Sequence, residues 1–133
     1  MDLSTAQRLA KIAPLHTITL THYGRKSGKP YDVIIWFVVE GQREGQRMFL
    51  GTANKSRNWV RNIMVKPNVI IKAGEESFIG TVGEISDASE RDRVMSLVQR
   101  KYWYAAPIMM VGRMLQNMGI INANTGAFEV HPQ

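Results

Sequence analysis

Residues 15 to 39 read LHTITLTHYGRKSGKPYDVIIWFVV, which is two apolar runs on either side of a basic turn. In the first run, 15–23, the side chains of Thr17, Thr19 and Thr21 alternate with those of Ile18, Leu20 and His22. This period of two is typical of a strand with one apolar face. The second run, 31–39, is apolar at almost every position and predicts a strand covered on both faces. A barrel interior on one face, with a helix or a second subunit on the other, would cover it. We therefore expect a small β-barrel.

The remaining sequence predicts more strands and a few flanking helices. A hairpin at 40–46 leads to an antiparallel third strand, and Gly80 and Gly83 allow the later strands to bend. Asn54 is a plausible N-cap, and Asp87 with Glu90 forms a capping pair. The predicted helices are 4–13, 55–66 and 87–103, and the predicted strands are 15–23, 31–39, 47–51, 69–71, 77–85 and 127–130. The helix at 55–66 places Trp59, Val60, Ile63 and Met64 on one face, with Arg57, Asn58, Arg61 and Asn62 on the other.

Length and composition restrict the kinds of protein that this chain can be. Its 133 residues suit a single domain, and the formal charge of +6 favours an anionic partner. That partner could be a nucleotide-like cofactor, a nucleic acid or an acidic membrane surface. The absence of cysteine excludes thiol catalysis, disulfides and thiolate metal sites. Because neither a signal peptide nor a transmembrane run is evident, we expect a cytoplasmic protein.

Two basic segments predict one anion site. The turn 24–30 and the segment 54–59 each follow a predicted strand, where a glycine-permitted turn can aim backbone N–H groups and cations at a phosphate. The turn is not a P-loop, because Pro30 stands where that motif needs serine or threonine. The three histidines lack the spacing of metal ligands, so no metal site is expected, and His22 is predicted to face solvent.

The order of these motifs resembles the deazaflavin-dependent nitroreductase family. The resemblance covers about residues 15–86, the predicted barrel. It rests on Leu20-Thr21-x-x-Gly24-Arg25-Lys26-Ser27-Gly28-Lys29-Pro30, the strand containing Trp36, and Asn58-Trp59-x-x-Asn62-Ile63-x-x-x-Pro67-Asn68-Val69. That family belongs to the split-barrel oxidoreductases, together with the enzymes that resemble pyridoxamine 5′-phosphate oxidase.

The resemblance implies a mainly β fold, a six-stranded antiparallel split β-barrel with flanking helices. It implies an oxidoreductase that passes a hydride between coenzyme F420, or FMN as the alternative, and a nitroaromatic, quinone or enone. The cofactor phosphate would lie between two groups of side chains. They are Arg25, Lys26, Ser27 and Lys29 in the turn, and Asn54, Lys55, Ser56 and Arg57 before the helix.

Other residues receive roles from the same resemblance. Thr52 and Trp59 would flank the tricyclic ring or its ribityl chain, and Tyr102 and Tyr104 are the candidate proton donors. Arg61 and Lys66 would extend the basic track towards an anionic cofactor tail, which F420 has and FMN lacks.

The Met-rich segment 107–122 departs from the family pattern and leaves three roles open. It could line the acceptor pocket, lie weakly on a membrane to meet a lipid quinone, or pack as core or as a homodimer contact. Two other functions also stay open, a cofactor-binding protein without turnover and a basic barrel that binds nucleic acid. We expect no nucleic-acid partner, because the aromatic residues are not interleaved with the basic clusters.

Overall fold

A computed structural model of the chain describes residues 5–41, 46–52, 54–102 and 125–133. The helices are α1 (Thr5–Ile12), α2 (Asn58–Val65) and α3 (Ala88–Lys101). The strands are β1 (Ile18–Tyr23), β2 (Pro30–Ile35), β3 (Phe37–Glu40), β4 (Arg47–Thr52), β5 (Asn68–Ala73), β6 (Glu76–Glu84) and β7 (Gly126–Pro132). The mainly β class is thus confirmed. The Met-rich segment 107–122 and Tyr104 lie outside the described residues.

The seven strands form one antiparallel sheet in the order β2-β1-β5-β6-β7-β4-β3. Its two edge strands, β2 and β3, are neighbours in the chain and are separated only by Trp36. The sheet must therefore curl until its edges meet at this residue, as in a split barrel. The expected number of six strands is wrong, because the run 31–39 is two strands that bend apart at Trp36 and pair with different neighbours.

The curled sheet has a core on each side. The interior core contains Leu20, Phe37, Leu50 and Phe128, and α2 contributes apolar residues to it. On the outer side, α3 packs Val94, Val98 and Tyr102 against Phe49 and Ala127. The Asp87 side chain accepts a hydrogen bond from the Glu90 N–H (2.9 Å), which confirms the predicted capping pair of α3.

The prediction that residues 31–39 are covered on both faces is correct only for β3. Phe37 and Val38 point to opposite faces of β3 and both are buried. In β2, Ile34 is 71% exposed, whereas α3 packs mainly over β3, β4 and β7. The break at Trp36 thus separates a covered strand from one whose outer face is open in the described part of the chain.

None of the helices in the described ranges is long and apolar enough to cross a membrane.

Candidate functional site

The basic turn between β1 and β2 is a compact, hydrogen-bonded loop. The Gly24 N–H donates to the Lys29 carbonyl (2.9 Å), and the Gly28 N–H donates to the Gly24 carbonyl (2.8 Å). Gly28 has a φ of 72°, a conformation that L side chains rarely adopt. A Cβ on Gly24 would lie 2.6 Å from Ser27 Oγ, so a side chain there would displace the Ser27 hydroxyl. These features hold Arg25, Lys26 and Ser27 at one edge of the barrel.

Asn62 of α2 ties this turn to the strand before it. Its Oδ1 accepts hydrogen bonds from the Arg25 backbone N–H (3.1 Å) and from Arg25 Nη1 (2.8 Å). Its Nδ2 lies 3.0 Å from Nδ1 of His22 in β1. Asn62 and His22 are 4% exposed, so the three residues form a largely buried polar chain. The segment formed by β1 and the turn therefore meets α2, which is distant in sequence, at one amide.

A cavity of about 650 Å³ opens beside this polar chain. Its walls are His22, the turn residues 24–27, residues 31–33 of β2 and residues 57–59 and 62 at the start of α2. Its lining includes three cationic side chains, of Arg25, Lys26 and Arg57, and one carboxylate, of Asp32. The positive excess makes the cavity suitable for an anionic ligand.

His22 is held against the cavity wall in an environment that opposes its charged form. Burial lowers the pKa of His22 below its ordinary value, and the nearby Asp32 carboxylate opposes this shift. The imidazole ring stacks on Tyr31 with ring centroids 5.9 Å apart. Asp32 in turn accepts a hydrogen bond from Thr21 Oγ1 (2.6 Å), which fixes its carboxylate at the rim.

The structure brings half of the predicted cofactor-binding residues to the cavity. They are Arg25, Lys26, Ser27, Arg57 and Trp59. The other five, Lys29, Thr52, Asn54, Lys55 and Ser56, do not line it. Lys66, predicted to extend the basic track, does lie beside the turn, since a Cβ on Gly28 would be 3.2 Å from its Nζ.

Thr52, Asn54 and Ser56 are occupied in shaping the loop before α2. Thr52 Oγ1 accepts from the Asn54 N–H and donates to the Asn54 carbonyl, both at 3.1 Å. Asn54 Oδ1 accepts from the Ser56 N–H (2.9 Å). The helix itself begins at Asn58, so the prediction of Asn54 as N-cap of a helix at 55–66 is wrong. Asn54 instead stabilises the turn that precedes the helix.

Lys55 is directed away from the cavity and is paired with an acid. Its Nζ lies 2.9 Å from Glu84 Oε2 at the end of β6. Its stem packs on Gly126, where a Cβ would lie 2.6 Å from Lys55 Cδ. Lys55 lines a second groove of about 410 Å³, whose other walls include Arg25, Arg61 and Met64. Arg25 and Lys55 thus share this groove, while only Arg25 of the two also lines the cavity, and their pairing on one phosphate stays a prediction.

Tyr102 lies in the core, which contradicts its predicted role as a proton donor to an acceptor. Its side chain is fully buried and its ring stacks on Trp36 at a centroid distance of 4.2 Å. Its hydroxyl donates to the His16 carbonyl (2.5 Å) and accepts from the Phe37 N–H (3.2 Å). The hydroxyl thus braces the chain where β3 begins.

The sequence reasoning missed four residues of the site. These residues are His22, Tyr31, Asp32 and Asn62. His22 was expected to face solvent, although the alternation of β1 already placed it on one face with Ile18 and Leu20, which are buried. Asn62 was assigned to the polar face of α2, because an asparagine gives no sequence signal that distinguishes a buried hydrogen-bonding role from exposure. Asp32 and Tyr31 lie on the strand after the basic turn, and only the curl of the sheet brings them to the cavity.

No cluster of three or more potential metal-binding side chains occurs within the described residues.

Comparison with known proteins gives a family and a fold. A model of the F420H2-dependent quinone reductase family matches residues 4–116. No curated protein matches the sequence at a significant level.

Three solved structures illustrate the shared fold. A conserved hypothetical protein from Mycobacterium tuberculosis is 20% identical, with a TM-score of 0.68 over 98% of this chain and 81% of that chain. An F420-H2 dependent reductase, FDR-A, is 17% identical, with a TM-score of 0.62 over 88% of this chain and 95% of that chain. A protein from Listeria innocua, provisionally assigned as a pyridoxamine 5′-phosphate oxidase, is 12% identical, with a TM-score of 0.66 over 98% of this chain and 94% of that chain. These likenesses confirm the split-barrel fold.

Proposed function

The chain belongs to the F420H2-dependent quinone reductase family, and from that premise we propose that it transfers a hydride from reduced F420, bound in the cavity beside the turn 24–29, to a quinone. The observation that supports this placement is the cavity itself, about 650 Å³ in volume and lined by three cationic side chains. Ligand pockets commonly have volumes of about 300–1,000 Å³ and combine apolar walls with a few convergent polar groups.

The residues of the cavity fit a phosphorylated tricyclic cofactor. Arg25, Lys26 and Arg57 supply positive charge, and Ser27 supplies a hydroxyl, all on one rim. Charge-assisted hydrogen bonds of this kind are the strong ones in phosphate recognition. Tyr31 and Trp59 give the cavity aromatic walls against which a flat ring system can lie.

F420, when bound, supplies the hydride chemistry, and the chain's own residues bind and orient it. The turn 24–29 fixes the phosphate end, because its backbone is held by internal hydrogen bonds and by Asn62. The cationic rim favours negative charge on a ligand within the cavity. His22 and Tyr31 line the cavity, and each can donate a hydrogen bond to an acceptor, the role that was predicted for Tyr102.

The family description favours a quinone as the acceptor, with nitroaromatics and enones as the other predicted classes. FMN is the alternative cofactor, because its phosphate would suit the same turn. Calorimetric titration of the purified protein with F420 and with FMN, side by side, tests the cofactor. We expect F420 to bind more tightly, and binding of FMN alone would contradict the proposal.

Turnover separates an enzyme from a protein that only binds the cofactor. With reduced F420 in excess, we expect oxidised F420 to accumulate when a soluble quinone is added. A nitroaromatic and an enone are tested in parallel, and Lys72→Ala serves as a control because Lys72 is an exposed cation on β5. Binding of F420 without any acceptor-dependent oxidation would indicate a carrier and contradict the proposed activity.

We also propose a homodimer, since Ile34 and Trp36 are 71% and 37% exposed and form an apolar outer surface next to the cavity wall. Light scattering measures the molar mass of wild type and of Ile34→Lys in solution. We expect a dimer for wild type and a monomer for the variant. A monomeric wild type would contradict it. A cytoplasmic location and weak membrane association of 107–122 stay predictions.

A further inference from the structure

The orientation of the Asn62 amide is determined by Arg25. Both N–H groups that approach Oδ1 come from Arg25, one from its backbone and one from its guanidinium, and neither can accept a hydrogen bond. The atom that faces them must therefore be the amide oxygen. The other amide atom, 3.0 Å from His22 Nδ1, is consequently the NH2 group, and it donates.

This orientation decides which nitrogen of His22 carries the proton. Nδ1 accepts the Asn62 hydrogen bond, so it has no proton, and in the neutral ring the proton must be on Nε2. Protonation of Nδ1 would set two donors against each other. The charged groups around the ring are Asp32 on β2, Arg25 and Lys26 in the turn, and Arg57 before α2, with the neutral Tyr31 stacked on it. Only Asp32 favours an imidazolium.

The Nε2–H group is the donor at the end of the polar chain Arg25–Asn62–His22 that is available to a ligand. His22 lines the cavity, and within the described residues its ring hydrogen bond is the one at Nδ1. Nε2 is not one of the fully buried polar atoms that lack a partner in the described part of the protein, so it is open to the cavity. An acceptor oxygen of a bound ligand can therefore reach it.

We propose that Asn62 is a positioning residue that holds His22 as a neutral Nε2–H donor, which binds an oxygen atom of the cofactor while the same amide holds Arg25 at the phosphate end. This inference rests on the proposed function for the identity of the ligand. A purely structural Asn62, which only joins α2 to the turn, would not fix the tautomer of His22, so the two roles are separable.

Nuclear magnetic resonance of the ¹⁵N-labelled protein without cofactor tests the tautomer directly. We expect long-range ¹H–¹⁵N correlations to show His22 with its proton on Nε2 at neutral pH, and to keep this form to a lower pH than a histidine with the ordinary pKa of 6.5. A proton on Nδ1, or an imidazolium at neutral pH, would overturn the proposal.

Asn62→Asp is the matched variant, because a carboxylate can still accept both Arg25 donors but can no longer donate to His22. We expect the His22 proton to move to Nδ1, or the ring to become charged, since an acceptor now faces Nδ1. An unchanged Nε2–H tautomer in this variant would show that Asn62 does not set it.

Cofactor titration tests the second half of the proposal. His22→Phe keeps a ring beside Tyr31 but removes the donor, and we expect F420 to bind about threefold to tenfold more weakly, the usual value of one hydrogen bond. His22→Gln, whose amide can return a donor near the position of Nε2, should restore most of the affinity. The matched control is His131→Gln.

Equal affinity of wild type and His22→Phe would overturn the contact with the cofactor. Absence of F420 binding by wild type would instead refute the proposed function, and the tautomer would still be decided by the measurement without cofactor. The two failures are therefore distinguishable.

Discussion

The turn 24–29 and the loop 54–57 carry the same kinds of side chain but use them differently. In the turn, internal backbone hydrogen bonds and Asn62 hold the cations towards the cavity. In the loop, Lys55 is neutralised by Glu84, and Asn54 and Ser56 bond to each other. Of that loop, only Arg57 reaches the cavity among the residues described.

The comparison indicates that acidic neighbours in the folded chain decide which cations of a basic segment are available to an anion. Glu84 ends β6 and reaches Lys55 because the curled sheet brings β6 close to the loop. Within the described residues, the Arg25 guanidinium forms no ion pair, and it donates to the amide oxygen of Asn62. The availability of charge therefore depends on tertiary neighbours more than on the number of lysines and arginines.

The largest expected effect is the loss of F420 affinity in Arg25→Ala. Removing a charged hydrogen-bonding group at the phosphate end should weaken binding by about tenfold to a hundredfold, corresponding to roughly 1.5–3 kcal/mol. Calorimetry measures the dissociation constant, and Lys72→Ala is the control with the same change in net charge. An equal loss in both variants would mean that net charge alone attracts the cofactor.

A smaller effect is expected when the conformation of the turn is disturbed. Gly28→Ala and Gly74→Ala both place a side chain at positive φ (72° and 58°), so each should lower the free energy of unfolding by about 1–2 kcal/mol. Only Gly28→Ala should also weaken F420 binding, because Gly74 lies in the β5–β6 turn. Urea denaturation and calorimetry on both variants measure this pair. Equal F420 affinities would show that the turn geometry is not part of the site.

Acid should destabilise the protein partly through the polar chain behind the turn. Burial lowers the pKa of His22 below the ordinary 6.5, so between the two values the unfolded state binds a proton that the folded state does not. The free energy of unfolding should therefore rise with pH up to about 6.5. In His22→Gln this rise should be shallower, as measured by urea denaturation at pH 5 and 7. Parallel pH profiles would contradict the assignment.

The smallest effect is expected at Lys55. Because its partner is Glu84 and both side chains are partly exposed, Lys55→Ala should cost less than about 1 kcal/mol of stability and change F420 affinity by less than about twofold. The two measurements are those used for Arg25→Ala. A loss of F420 affinity as large as that of Arg25→Ala would support the two-loop phosphate site predicted from the sequence.

Much of the fold was predictable, because strands and helices follow local periodicity. The alternation in 15–23 and the cap at Asp87 were sufficient to locate β1 and α3. The break at Trp36 was not predictable from the sequence. Nothing in a continuous apolar run indicates that its two halves will pair with different strands at opposite edges of a sheet.

The sequence predicted which kinds of residue form the candidate site, but it did not predict which residues they bond to. Arg25, Lys26 and Ser27 follow from a glycine-rich basic turn, which is a local feature. The role of Asn62 does not follow from the local sequence, because it depends on contacts with residues 37 and 40 positions earlier. The misassignment of Tyr102 has the same origin, as its hydroxyl binds backbone groups 86 and 65 residues away.

By itself, the sequence determined the strands, the helices and a turn rich in cations, because hydrogen bonding and periodicity over a few residues decide these features. The tertiary structure alone decided that the sheet curls at Trp36, that Lys55 is paired while Arg25 faces the cavity, and that the Asn62 amide meets His22 at Nδ1. Those outcomes depend on burial and on charges or donors that are far apart in the chain, and only folding brings such groups within hydrogen-bonding distance.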